Sequence, residues 1–447
     1  MNREDRIRFA LSIATDTKEF IMGCGVSRQA PEVFKRFFPG KGALMVADIH
    51  TFPVLGKQVM ADFQAAGIPV SLHLFEEETF HAEWKYVEQV DAQLDAHPGC
   101  VLVSVGSGVI NDLCKLSSHH HGQSYLTLPT AASVDGYSSF GASITFEGAK
   151  QTFSCPAPVA IIADMNVIAA APKEMTAAGY ADLAAKVPAG AEWMISDFVG
   201  TEPIQPDAWH VLQDYLDDFL ARPAEVAAGD PEAVSDIFEG LTLSGFAMQA
   251  ARSSRPASCC DHLFSHILDM TEHRYQGKLQ SHGFQVAIGT LTMCAVFDQL
   301  FKLDLTRLDV DACVNVWPAL EEEQRRALNI FKDFPAPQLG YNEITKKYAP
   351  REVVREELTK LKREWPSFKA KLQGQVYSYE KMKALLKAAG APYEPEHIGV
   401  SRAQLKAMFP FVQLMRPRYN VLDLAKRGGF YNAIVDPLFA QGGPFAL

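Results

Sequence analysis

Two periodicities alternate over the first 170 or so residues. Apolar residues run nearly unbroken through "GALMVADIH" (42–50), "PVSLHLF" (69–75), "CVLVSVGSG" (100–108), "SYLTLPTAAS" (124–133) and "PVAIIADMNVI" (158–168). Between them, "GKQVMADFQAAG" and "WKYVEQVDAQLDAH" place apolar residues every three or four positions. Continuous apolar strands alternating with one-faced helices predict a parallel sheet covered on both sides. The character changes near Pro172. "APKEMTAAGYADLAAKVPAGAEWMISDFV" is Ala-rich and helical, and helical patterns continue almost to the end. "EVVREELTKLKREWPSFKAKL" is the clearest charged surface helix, and no strand is expected after about residue 170. The predicted architecture is α/β followed by all-α, with an α/β dinucleotide-type domain over 1–170 and a helical domain over 171–447.

Composition narrows the function. The chain has 447 residues, 48% hydrophobic and 21% charged, an ordinary globular balance that is too long for one core. A formal net charge of −11 and the lack of a dense Lys/Arg block argue against a general nucleic-acid binder. An anionic small substrate would need a local cluster of positive groups. The charged start "MNREDRIRFALSIATDTKEF" does not read as a signal peptide. The longest apolar stretch is interrupted by Asp164 and Asn166 and is too short for a membrane span. Eight cysteines without a C-x-x-C pair read as reduced thiols of a cytoplasmic protein.

The chemistry starts at "GSGVINDLCK" (106–115), where a strand empties into glycines and a helix begins. Such a turn gathers backbone N–H groups at a positive helix end, which suits a pyrophosphate. Gly106 and Gly108 would admit close backbone approach, Asn111 and Asp112 would fall in the first helical turn, and Lys115 one turn along. A second strand-end loop, "LPTAASVDGYSS", offers Thr130, Ser133, Ser138 and Ser139 as hydroxyl donors and Asp135 as a carboxylate. Two polar loops at strand ends form the crevice in which open α/β sheets bind ligands. Asp48, at a third strand end, either accepts from a ribose hydroxyl, which would favour NAD, or caps the segment that follows.

The helical half carries a metal-ligand pattern. Asp182 lies in a small, apolar run; His262 and His266 are spaced i, i+4 on one helical face; His282 opens an apolar helix. One Asp with two or three His suits a divalent ion with an open position. A zincin would need Glu after the first His, and Leu263 stands there. The "HHH" at 119–121 reads as a solvated loop between helix and strand.

In order, the glycine turn with D-x-x-K, "PTAASVDGYSS", "ADLAAK", "DHLFSH" and "HG-x-x-V-A-x-G-T" resemble the dehydroquinate synthase and iron-containing alcohol dehydrogenase superfamily. "PTAASVDGYSSFGASI", "PVAIIADMNVI" and the tail "IGVSRAQLKAMFPFVQLMRPRYNVLDLA" look most like its glycerol-1-phosphate dehydrogenases, particularly the bacterial branch, so the similarity spans nearly the whole chain. The resemblance implies a Rossmann-like sheet domain followed by a helical domain, in a dehydroquinate synthase-like fold. It implies cofactor contacts from Gly108, Val109, Ile110, Asn111 and Asp112 at the pyrophosphate, and Thr130, Ala131, Ala132, Ser133 and Ser139 beside the nicotinamide. Asp135 would bond a substrate hydroxyl, and Asp182, His262 and His282 would hold the metal. His266 would face substrate, with either His266 or a metal-bound water as the proton donor, and Lys186 would meet the substrate phosphate unless it simply pairs with Asp182 along the helix.

The implied cofactors are NAD(P) and one divalent ion, zinc or nickel before iron. The implied reaction is reduction of dihydroxyacetone phosphate to sn-glycerol 1-phosphate by a cytoplasmic homodimer. The chain departs from the family pattern at Ser107, inside the glycine triplet, and at Ala181 before Asp182. The alternatives are a polyol dehydrogenase acting on a non-phosphorylated substrate, and a catalytically dead dinucleotide-binding protein. A lyase of the dehydroquinate synthase kind would need more Lys and Arg than the chain offers.

Overall fold

A computed structural model describes residues 1–147 and 149–447. Its main sheet has six strands, all paired in parallel. From edge to edge they run Glu19–Gly23, Ala160–Asp164, Leu126–Pro129, Cys100–Gly106, Gly42–Asp48 and Val70–Phe75. Both faces are covered, which explains the unbroken apolar runs. Ala43, Met45, Ala47 and Val101, Val103, Val105 join one buried cluster, while Leu44, Val46 and Leu102 join the other.

The chain moves outward to Val70–Phe75 after Gly42–Asp48, and the opposite way to Leu126–Pro129 after Cys100–Gly106. These two neighbouring strands therefore flank the topological switch point, and their carboxyl ends carry Asp48 and Gly106. That is where an open parallel sheet leaves a crevice for a ligand.

Several elements differ from the sequence expectation. The edge strand Glu19–Gly23 escapes notice because only Phe20 is buried within it. The run 158–168 divides into the strand Ala160–Asp164 and a short helix Met165–Ile168, capped where the Asp164 carboxylate accepts the Asn166 N–H. An antiparallel hairpin pairs Ala142–Phe146 with Ala149–Phe153 outside the main sheet. A strand pair also follows residue 170, where Arg274–Tyr275 and Lys278–Leu279 form a two-residue ladder too short to leave a periodic signal. None of the described helices is long and apolar enough to cross a membrane.

The chain divides into two compact units. The first comprises Met1–Leu183, Pro206–Pro256 and Ala388–Gly390; the second comprises Ala184–Gln205, Ala257–Lys387 and Ala391–Leu447. The change of composition near 170 thus falls inside the first unit, because helices Lys173–Ala184 and Pro231–Ala251 pack onto the loops of the sheet. Two glycines permit this. A Cβ at Gly179 would lie 2.0 Å from the Ala132 carbonyl oxygen, and one at Gly245 would lie 1.9 Å from Ser138 Oγ.

The second unit is dominated by helices. The charged one runs Arg351–Gln375 and buries Val354, Leu358, Leu361, Trp365, Phe368 and Leu372 along one side, with Phe368 stacked on Phe198 at 4.0 Å. Helices Cys260–Met270 and His282–Leu300 pack closely at Gly289, where a Cβ would stand 2.0 Å from the Asp261 carbonyl oxygen.

Candidate active site

In the first unit, Ser107 is the N-cap of helix Gly108–His120. The Gly108 N–H is directed at the Tyr137 hydroxyl, and the Asn111 N–H already bonds the Ser107 carbonyl at 3.1 Å. The amides of Val109 and Ile110, in the first helical turn, have no carbonyl a turn earlier within the helix to bond. They are the natural donors to an anion at this end. Gly106 has a different reason to be glycine than ligand approach: a Cβ there would fall 2.6 Å from Ile110 Cγ1.

The polar side chains of the same helix hold the neighbouring loop. Asn111 Nδ2 donates to the Gly136 carbonyl at 3.2 Å, and Asn111 Oδ1 accepts from the Tyr125 hydroxyl at 3.0 Å. Asp112 accepts the Ser143 N–H at 3.2 Å; burial pushes its carboxyl upward, against the pull of Lys115. Lys115 is fully buried and donates to three carbonyls, Gly136 and Ser139 at 2.8 Å and Gly141 at 3.0 Å.

This loop carries the buried side chains of Thr130, Ala131, Ala132, Ser133 and Ser139. Thr130 N–H bonds the Gly106 carbonyl at 3.1 Å, which ties the two strand-end loops together. Ser133 Oγ meets the Tyr137 hydroxyl at 3.2 Å, and burial raises the pKa of that phenol. Ser138 turns away to the Thr242 carbonyl at 2.8 Å. Asp135 uses both its ends: its N–H donates to Asp182 Oδ2 at 3.0 Å, and its own Oδ2 accepts from Ser244 at 2.9 Å. Asp182 itself is fully buried on helix Lys173–Ala184. Asp48 shows the turn behaviour weighed above, with Oδ1 accepting His50 N–H at 2.9 Å and Thr51 N–H at 2.8 Å.

In the second unit, His262 and His282 lie together. Their ring centroids are 5.3 Å apart and their ligand nitrogens within 4.8 Å. Both rings are oriented through Nδ1. His262 Nδ1 hydrogen-bonds the fully buried Asp261, whose other oxygen accepts the Cys259 N–H at 3.0 Å. His282 Nδ1 meets Ser265 Oγ at 3.1 Å, and Ser265 spends its own proton on Gln285 Oε1 at 2.6 Å. The serine oxygen must therefore accept from an Nδ1–H. Each ring then keeps its lone pair on Nε2, the tautomer a metal needs, with a partner that fixes its orientation.

The sequence reading missed Asp261, Ser265 and Gln285, although Asp261 stands beside His262. Asp261→Asn is expected to weaken metal binding about 10–100-fold with little change of fold, measured by competition with a chromogenic chelator.

His266 follows one turn after His262 and is half-buried. Lys186 opens helix Lys186–Val199 and is fully buried, so a solvated helix-surface pair does not describe it. The triple histidine is a helix end rather than a loop. His119 and His120 close helix Gly108–His120, His120 pairs with Asp91 at 2.8 Å, and His121 reaches Asp95 at 3.2 Å. All eight cysteines are free thiols.

The chain thus combines a parallel sheet, with a glycine turn and a helix N-terminus at its switch point, and two imidazoles each oriented through Nδ1. Residues 21–172 match the family described as iron-containing alcohol dehydrogenase. The glycerol-1-phosphate dehydrogenase [NAD(P)+] of Halalkalibacterium halodurans is 31% identical over 278 residues, 61% of this chain and 69% of the relative. That of Halobacterium salinarum is 33% identical over 274 residues, 61% of this chain and 76% of the relative. Among solved structures, a probable glycerol dehydrogenase from Sinorhizobium meliloti superposes with a TM-score of 0.61 at 17% identity, covering 94% of this chain and 97% of the other. The fold is that of the iron-containing alcohol dehydrogenases. The chain belongs to the glycerol-1-phosphate dehydrogenase family.

Proposed function

We infer that this chain is an NAD(P)-dependent, metal-dependent alcohol dehydrogenase that reduces dihydroxyacetone phosphate reversibly to sn-glycerol 1-phosphate. The reading rests above all on the Nδ1-anchored pair His262 and His282 in a chain whose relatives carry that name.

The ligands of one divalent ion are assigned to Asp182, His262 and His282. Imidazole and carboxylate donors suit zinc or nickel, with iron the lesser choice. When bound, such an ion supplies Lewis-acid polarisation of the C2 oxygen, worth several kcal/mol in the transition state.

The other roles fall to the chain's own groups. Val109 and Ile110 amides, with Gly106, Gly108, Asn111 and Asp112 shaping the turn, receive the pyrophosphate of the dinucleotide. Thr130, Ala131, Ala132, Ser133 and Ser139 wall the nicotinamide side, and Asp48 takes a ribose hydroxyl. Asp135, steadied by Ser244, orients a substrate hydroxyl. The buried ammonium of Lys186 meets the substrate phosphate, and His266 delivers the proton to the C2 oxygen.

The test is oxidation of NADH and of NADPH by dihydroxyacetone phosphate, before and after chelation and with metal restored. The phosphoester is expected to turn over, to stop with chelator, and to recover with zinc or nickel. A protein that oxidises glycerol but ignores the phosphoester refutes the substrate. Turnover indifferent to chelation refutes the metal.

A further inference from the structure

Among the described residues, a second set of ligand-type side chains converges in the second unit and shares no residue with Asp182, His262 and His282. Ligand atoms of Glu192, Cys259 and Cys260 all lie within 4.8 Å of one another, and all three residues are buried. Glu192 stands on helix Lys186–Val199, Cys260 opens helix Cys260–Met270, and Cys259 is the N-cap of that helix. Successive side chains of an extended chain point to opposite sides. The turn into the helix at Cys259, with φ −146° and ψ −131°, instead brings two consecutive thiols to one carboxylate.

Glu192 is held in place by backbone. Its Oε2 accepts the Cys260 N–H at 2.9 Å and its Oε1 accepts the Val421 N–H at 3.1 Å. It thereby joins the starts of helices Cys260–Met270 and Val421–Arg427, whose positive ends favour a carboxylate. A carboxylate oxygen has two lone pairs, so accepting one N–H does not end its use as a ligand.

The donor chemistry selects the ion. Two thiolates and a carboxylate suit a cation such as zinc, whereas magnesium and calcium take oxygen ligands. Tetrahedral zinc, with bonds of about 2.3 Å to sulfur and about 2.0–2.2 Å to oxygen, sets its ligands roughly 3.5–3.8 Å apart. From separations of at most 4.8 Å, the three atoms need to close by no more than about 1.3 Å. We propose that Glu192, Cys259 and Cys260 bind a second, thiophilic divalent cation of the zinc type, separate from the ion assigned to Asp182, His262 and His282. Each metal–sulfur bond replaces an S–H bond, and both protons pass to solvent. Cys260 stands two residues before His262, and the Cys259 N–H bonds Asp261, so the ion braces the helix start from which His262 projects. The assignment does not depend on the reaction proposed above.

Cadmium is the probe, because thiolate ligands give it an ultraviolet charge-transfer band that imidazole and carboxylate ligands do not. The zinc-loaded protein, its thiols kept reduced by a phosphine, is incubated with cadmium, desalted, and read for metal per chain and for that band. Wild type is expected to carry a second ion per chain and the band, as is Cys24→Ser, which alters an exposed thiol elsewhere. The double variant Cys259→Ser, Cys260→Ser is expected to lose both with unchanged circular dichroism; Cys259→Ala alone replaces it if the double variant does not fold. Glu192→Gln should bind cadmium at least about tenfold more weakly. His262→Ala should keep the band, so failure of the ion assigned to the imidazoles and failure of this one are read separately. A wild type without the band, cysteine variants that keep it, or Glu192→Gln with wild-type affinity overturns the proposal.

Discussion

Alanine at His262 is expected to leave a folded chain that retains no metal and has lost about a thousandfold or more of kcat/KM toward dihydroxyacetone phosphate. The size follows from the several kcal/mol that a Lewis acid contributes at the reacting oxygen. The substitution removes a donor ring and strands its anchor. Asp261 is fully buried, and without the His262 Nδ1–H one carboxylate oxygen loses its hydrogen bond. Stability should therefore drop as well, by about 1–3 kcal/mol. Metal per chain by mass spectrometry, steady-state rates and a urea melt together separate the two effects. A variant with full metal content and turnover within about tenfold of wild type would end the ligand assignment.

The largest purely structural effect is expected at Gly289. A Cβ there would sit 2.0 Å from the Asp261 carbonyl oxygen, and both partners are backbone in packed helices, so neither side can swing aside. Gly289→Ala should cost about 2–3 kcal/mol through forced separation of helices Cys260–Met270 and His282–Leu300. Metal affinity should fall too, since those helices carry His262 and His282. Gly374→Ala is the control: apart from its chain neighbours and its own helix backbone, none of the described residues comes within 4 Å of a Cβ there, and alanine suits a helix better than glycine by up to about 1 kcal/mol. Denaturation midpoints decide the matter. If the two alanine variants are equally stable, the close helix contact is misplaced.

The parts of this fold legible in the sequence are those whose cause is local. Val101, Val103 and Val105 announce a buried strand because both faces of the sheet are dry. The glycine turn announces a helix start because the chain there has a single sharp change of periodicity. Elements with distant causes stayed hidden. Gly179, Gly245 and Gly289 look like ordinary small residues in Ala-rich helices until Ala132, Ser138 and Asp261 are seen against them. The edge strand Glu19–Gly23 buries one side chain of five and carries almost no pattern. For the candidate site, the histidines were legible as an i, i+4 pair plus one. Their anchors were not, because Ser265 and Gln285 act only through a hydrogen-bond chain that folding assembles.

Lys115 adds one consequence. A lysine with three carbonyls on its ammonium clamps Gly136, Ser139 and Gly141 before any ligand arrives. A wall fixed by its own chain surrenders little further freedom on association, so less of the interaction free energy is lost to ordering. The stretch from Gly136 to Gly141 therefore behaves as rigid framework, and any gating motion in this protein has to originate in another segment.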